Sequence, residues 1–77
     1  MNVYITTYCG KEEKAFSSIK KAQEHRDYRI ATTISMIPSN WSYQVWHYAY
    51  DETRLEVTKQ DGSLVNFIYK IKKLRVQ

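Results

Sequence analysis

The chain has 77 residues, a length that holds one domain (residues 1–77) around one small core and leaves no room for a large internal substrate cavity. With 43% hydrophobic and 26% charged residues, two glycines and one proline, the composition is that of a folded chain with few disordered stretches. Twelve Lys or Arg against eight Asp or Glu give a net charge of +4, which suits an anionic partner and equally serves solubility.

Cys9 is the one cysteine, so an internal disulfide is excluded and a reducing, cytoplasmic setting is expected. No stretch approaches the roughly 18 apolar residues of a membrane span, and no signal-peptide pattern follows Met1. Neither export nor insertion in a membrane is expected.

Asn2 to Tyr8 alternates as a first strand, with Val3, Ile5 and Thr7 on one face and Tyr4, Thr6 and Tyr8 on the other. Cys9 to Glu13 reads as a surface loop in which Gly10 takes positive φ. Phe16 dips back toward the core, and Ser17 or Ser18 caps a short helix from Ser18 to about Arg26, with Ile19 and Ala22 as its narrow inner stripe. From Tyr28 to Ile37, alternation of Tyr28, Ile30, Thr32, Ile34 and Met36 with smaller or polar residues predicts a second strand. The competing assignment carries the helix onward from Arg26 into the Ile30 region. Pro38 ends this segment in either case.

The stretch Trp41 to Tyr50, WSYQVWHYAY, holds two tryptophans and three tyrosines and reads as the strand around which the others are arranged. Alternation puts Trp41, Tyr43, Val45, His47 and Ala49 on one face and Trp46, Tyr48 and Tyr50 on the other. Asp51 to Thr53 reads as a turn, and Arg54 to Lys59 as a strand with Leu55 and Val57 inward. Asp61-Gly62 marks a tight hairpin built on positive φ values. The last strand, Leu64 to about Leu74, turns Val65, Phe67, Tyr69 and Ile71 to one side and Asn66, Lys70 and Lys72 to the other. The expected fold is α+β: an antiparallel sheet of about five strands in the order β-α-β-β-β-β, with the short helix on one face.

Chemistry finds little foothold. No Walker loop, dinucleotide-binding glycine pattern or glycine-flanked serine occurs, so no catalytic or cofactor-binding residue is assigned and no enzyme is expected. His25, His47 and Cys9 lack metal-ligand spacing; His25 reads as a helix-end residue, His47 as a packed or hydrogen-bonded one, and Cys9 as a buried or half-buried thiol. Two surfaces remain. The face of Trp46, Tyr48 and Tyr50 adds to a total of eleven aromatics (two Trp, seven Tyr, two Phe), more than a small sheet and short helix readily hide. The basic end, with Lys70, Lys72, Lys73 and Arg75, supplies positive charge.

Together these residues form the expected partner-binding site, for a protein or, alternatively, for single-stranded nucleic acid stacked on the rings. Acidic residues interspersed with the basic ones leave no continuous positive stripe, which favours a protein. An exposed sheet edge also leaves monomer and homodimer both open.

Val3-Tyr4-Ile5, then Ala15-Phe16-Ser17-Ser18 and Lys21-Ala22 leading into a helix, then an aromatic meander, resembles in size and layout the small orphan proteins of tailed bacteriophages. That resemblance implies a host-modulating inhibitor acting in the infected cell's cytoplasm by occupying a surface of a host machine. It carries over no functional residue.

Overall fold

A computed structural model describes residues 1–49 and 51–75. The elements run β1 (Asn2–Tyr8), β2 (Lys11–Phe16), α1 (Ile19–Ser35), β3 (Ser42–Ala49), β4 (Glu52–Thr58) and β5 (Leu64–Arg75). All five strands form one antiparallel sheet in the order β2-β1-β5-β4-β3, with α1 on one face. The class is the expected α+β. The second strand, however, lies before the helix rather than after it.

Two local causes account for that correction. Cys9 (φ 51) and Gly10 (φ 85) both occupy the left-handed region, so the expected loop is a two-residue turn that folds Lys11–Phe16 back against β1. The second cause is helical spacing. Ala22 and Ile30 are buried on α1, and Ile34 continues the same stripe against the core, so a 3.6-residue period overrides the alternation that suggested a strand over 28–37.

The β-branched residues of α1 are accommodated individually. Thr32 and Thr33 donate their hydroxyls to the carbonyls of Tyr28 (2.9 Å) and Arg29 (3.0 Å), one turn back. Tyr28 and Met36, which alternation groups with Ile30 and Ile34, are separated from them by the helical period and are among the exposed large side chains. Ser18 caps the helix by accepting the Lys21 N–H at 3.1 Å. No acidic residue lies in the first turn and no basic one in the last, so packing rather than the helix dipole holds the element. His25 consequently sits within the helix, not at its end.

The spine of the sheet is β5, not the aromatic strand. Leu64 to Lys70 pair with β4 on one side, and Tyr69 to Arg75 pair with β1 on the other. The two hairpins are therefore offset along β5, and the molecule measures 50 × 18 × 18 Å. On the helix side of the sheet, Ile30, Leu55, Val57 and Tyr69 form the core. The Thr33 hydroxyl and Tyr69 hydroxyl meet at 2.8 Å, tying helix to spine.

In contrast, β3 is an edge strand and carries no buried residue among those described. Other local expectations resolve in detail. Thr53, assigned to a turn, lies within β4 and is fully buried. At the β4-β5 connection Gly62 alone takes positive φ (87°), while its N–H donates to the Lys59 carbonyl at 3.0 Å and Lys59 N–H donates to that of Ser63 at 2.9 Å. The connection is thus a turn closed by one left-handed glycine rather than a pair of left-handed residues. Cys9 is exposed, not half-buried.

Candidate functional site

The face of the sheet away from α1 gathers Trp46 and Tyr48 from β3, Glu52, Arg54 and Glu56 from β4, Lys70 and Lys72 from β5, and Glu12 from β2. Strand register brings them into line: Trp46 lies opposite Arg54, and Glu52 opposite Lys70. Pairing shifts between His47 and Ala49, leaving Tyr48 as the extra residue of a bulge. Its ring lies under the Arg54 guanidinium, 4.6 Å from centroid to cation. The rings remain available: Trp46 is 47% exposed and Tyr48 60% exposed.

Charge on this face closes on itself. Arg54 Nε donates to Glu52 Oε2 at 2.9 Å, Lys70 Nζ lies 3.4 Å from Glu52 Oε1, and Lys72 Nζ lies 3.4 Å from Glu12 Oε1. The hydrogen bond from Arg54, helped by Lys70, holds the Glu52 carboxyl below the usual range. The ties of Glu52 to Arg54 and Lys70 are therefore complete above the ordinary carboxylate range and are lost as pH falls through the lowered value.

The expected site residues are thus divided. Trp46, Tyr48, Lys70 and Lys72 share the open face. By strand alternation Lys73 and Arg75 project to the helix side, Lys73 opposite Tyr4 and Arg75 opposite Asn2. Tyr50 lies outside the described residues. The basic end is therefore not one cluster with the aromatic rings.

The helix side carries a second feature that the sequence reading missed. A groove of about 520 Å³ lies between the C-terminal half of α1 and the first half of β5, with Val57, Val65 and Phe67 in its lining beside Met36 and Trp41. At one end Tyr8 stacks on Phe67 (6.1 Å between centroids) and tilts against Tyr69 (5.2 Å). Arg29 covers the Tyr8 ring at 5.1 Å while pairing with Glu13 at 3.1 Å. Burial is the main cause that raises the phenols of both Tyr8 and Tyr69 above 10.0. The signal was present in the inward-facing Val65 and Phe67, but only the length of α1 reveals that they form a floor.

Among the described residues no group of three or more His, Cys, Asp or Glu is placed to hold a metal ion. His47 Nδ1 instead meets the Thr53 hydroxyl at 3.0 Å. The His25 ring packs 5.4 Å from that of Phe16. Among the described residues no helix is long and apolar enough to cross a membrane. No family model, curated protein or solved structure matches the chain.

Proposed function

We propose that this domain is a non-enzymatic protein-binding module whose contact surface is the open sheet face, anchored by Trp46 and Tyr48. One observation carries this reading: two large exposed rings stand on a face whose cations are already matched by carboxylates. Tracking a phosphate backbone requires cations that are not so engaged, because counterion release drives such binding. A protein surface asks instead for aromatic anchors with a polar surround, and Arg54 clamped over Tyr48 reduces the ordering cost of that ring. The resemblance in size and layout to small phage proteins points to a bacterial host assembly as the target, with inhibition or modulation by occupancy as the mode of action.

The test is capture from a bacterial lysate split into nuclease-treated and untreated halves, using the wild-type chain and a Trp46→Ala/Tyr48→Ala variant. The expected result is a protein partner that survives nuclease and is lost with the variant, whose circular dichroism and melting temperature stay close to wild type. Capture retained by the folded variant overturns the anchors. Capture abolished by nuclease, with oligonucleotide affinity falling linearly with salt on logarithmic axes, transfers the site to single-stranded nucleic acid.

A further inference from the structure

The offset of the hairpins leaves two lanes beside β5 in which no described strand lies. On the β4 side, pairing ends at Glu52 with Lys70 and at the Ile71 N–H donating to the Asp51 carbonyl (2.8 Å). Lys72, Lys73 and Arg75 follow there, and such charges block strand addition. On the β1 side, pairing ends at Tyr8 with Tyr69 and at the Cys9 N–H donating to the Ile68 carbonyl (2.7 Å). Leu64, Val65, Asn66 and Phe67 border that lane with no charge at all.

Because the Ile68 carbonyl faces this lane, the backbone groups of Asn66 and Leu64, two and four residues back, face it as well. Those of Val65 and Phe67 face β4. The same two residues turn their side chains into the groove beneath α1. Edge and groove are therefore continuous. A strand laid in the lane would hydrogen-bond to Leu64 and Asn66 and direct the side chains opposite Val65 and Phe67 into the groove.

We infer that this lane is a β-strand addition site for an extended peptide segment whose groove-facing side chains, every second one, are apolar with an acidic one among them. Apolar side chains match the groove, where Val57, Val65, Phe67 and Met36 supply the contacts. Acidity follows from charge: the charged side chains lining the groove are Arg29 and Lys59, both basic, so the acidic side chain belongs to the set that enters the groove and not to the alternate set, which faces the other side of the sheet. Part of the Arg29 charge is met by Glu13, so Lys59, resting on the Trp41 ring at 5.7 Å, is the principal cation for the incoming segment. A second copy of this chain is the poorer occupant, since it would bring the same basic rim and a net charge of +4. The site is separate from the Trp46 and Tyr48 face, so the two readings stand or fall independently.

The probe is a synthetic seven-residue peptide with Val, Val, Glu and Val at alternate positions and Ser between them, compared with a version carrying Lys in place of Glu and with a version of the first N-methylated at the positions that face β5. Binding is followed by amide chemical shifts and hydrogen exchange. The expected result is protection of the Leu64 and Asn66 amides, with affinity at least about tenfold weaker for the N-methylated peptide and weaker again for the lysine one. An Asn66→Pro variant removes a lane-facing N–H without touching the β4 ladder and loses binding while its melting temperature holds. The Trp46→Ala/Tyr48→Ala variant binds the peptide as wild type does. Equal affinity for all three peptides, absence of binding, or protection elsewhere overturns the proposal. So does a concentration-dependent dimer, detected by sedimentation, that Asn66→Pro abolishes, because the lane then belongs to a second copy.

Discussion

β3 and β4 are neighbours joined residue by residue, yet they have opposite fates. Tyr43 lies across from Val57, Val45 from Leu55 and His47 from Thr53. On β4 these positions are buried to between 0% and 2% exposure, whereas Tyr43 remains 48% exposed. The strand with the larger rings is the one left outside. Position in the sheet order decides the outcome: β4 has a strand on each side and supplies Leu55 and Val57 to the core beside Ile30, while β3 has one neighbour and brings Val45, partly buried, against it. Aromatic content measures what a strand can bury, not what it does bury.

Truncation across the pair is the strongest way to break that comparison. Leu55→Ala should cost about 2–5 kcal/mol, since a fully buried side chain leaves a cavity, and a urea midpoint measurement reads it directly. Tyr43→Ala on the facing strand should cost well under half as much. Equal losses would mean that β3 is covered in solution.

The spine offers a smaller effect with a pH signature. Tyr69→Phe removes the hydroxyl that meets Thr33 and should cost about 0.5–1.5 kcal/mol at neutral pH. The phenols of Tyr69 and Tyr8 titrate above their usual value because burial favours the neutral form. Their contribution is therefore complete below pH 10.0 and is lost as pH climbs through the raised values. Wild type should lose stability in alkali more steeply than Tyr69→Phe; parallel denaturation curves from pH 8 to about 11 check the sign.

At the turn between β1 and β2 the expected change is a gain. Cys9 holds a left-handed conformation that disfavours most side chains, so Cys9→Asn or Cys9→Gly should stabilise by about 1 kcal/mol, seen as a raised melting temperature. Smallest of all is Trp46→Ala, expected to stay within about 0.5 kcal/mol of wild type because the exposed ring has little packing to lose. A large loss there would show that the open face contributes to stability, and would weaken its assignment as a contact surface.

Much of this arrangement is legible in the amino acids. Alternation places β1 at Asn2–Tyr8, sets the inward faces of β4 and β5, and puts Trp46 and Tyr48 on the face opposite Tyr43 and Val45. Ser18 announces the helix start. What the residues conceal is competition between periods. Over Tyr28 to Ile37 both an alternating and a helical pattern are present, and the choice depends on the packing of Ile30 and Ile34 against Leu55 and Tyr69, which are far along the chain. β2 is hidden for a different reason. It lies at the sheet edge with mostly exposed residues, so no hydrophobic alternation marks it, and its turn uses Cys where Asn or Asp gives the familiar signal. Ion pairs such as Lys70 with Glu52 and Lys72 with Glu12 depend on inter-strand register and could not be read locally.

The pairing of β5 with both β1 and β4 has a kinetic consequence. Asn2 finds its partner at Arg75, so β1 waits for β5, far along the chain, before its ladder can close. Until then the β1-β2 hairpin and α1 have no platform, and β4 lacks its second neighbour. Assembly should therefore proceed as a single late, cooperative event governed by long-range loop closure, with few stable partial structures along the way.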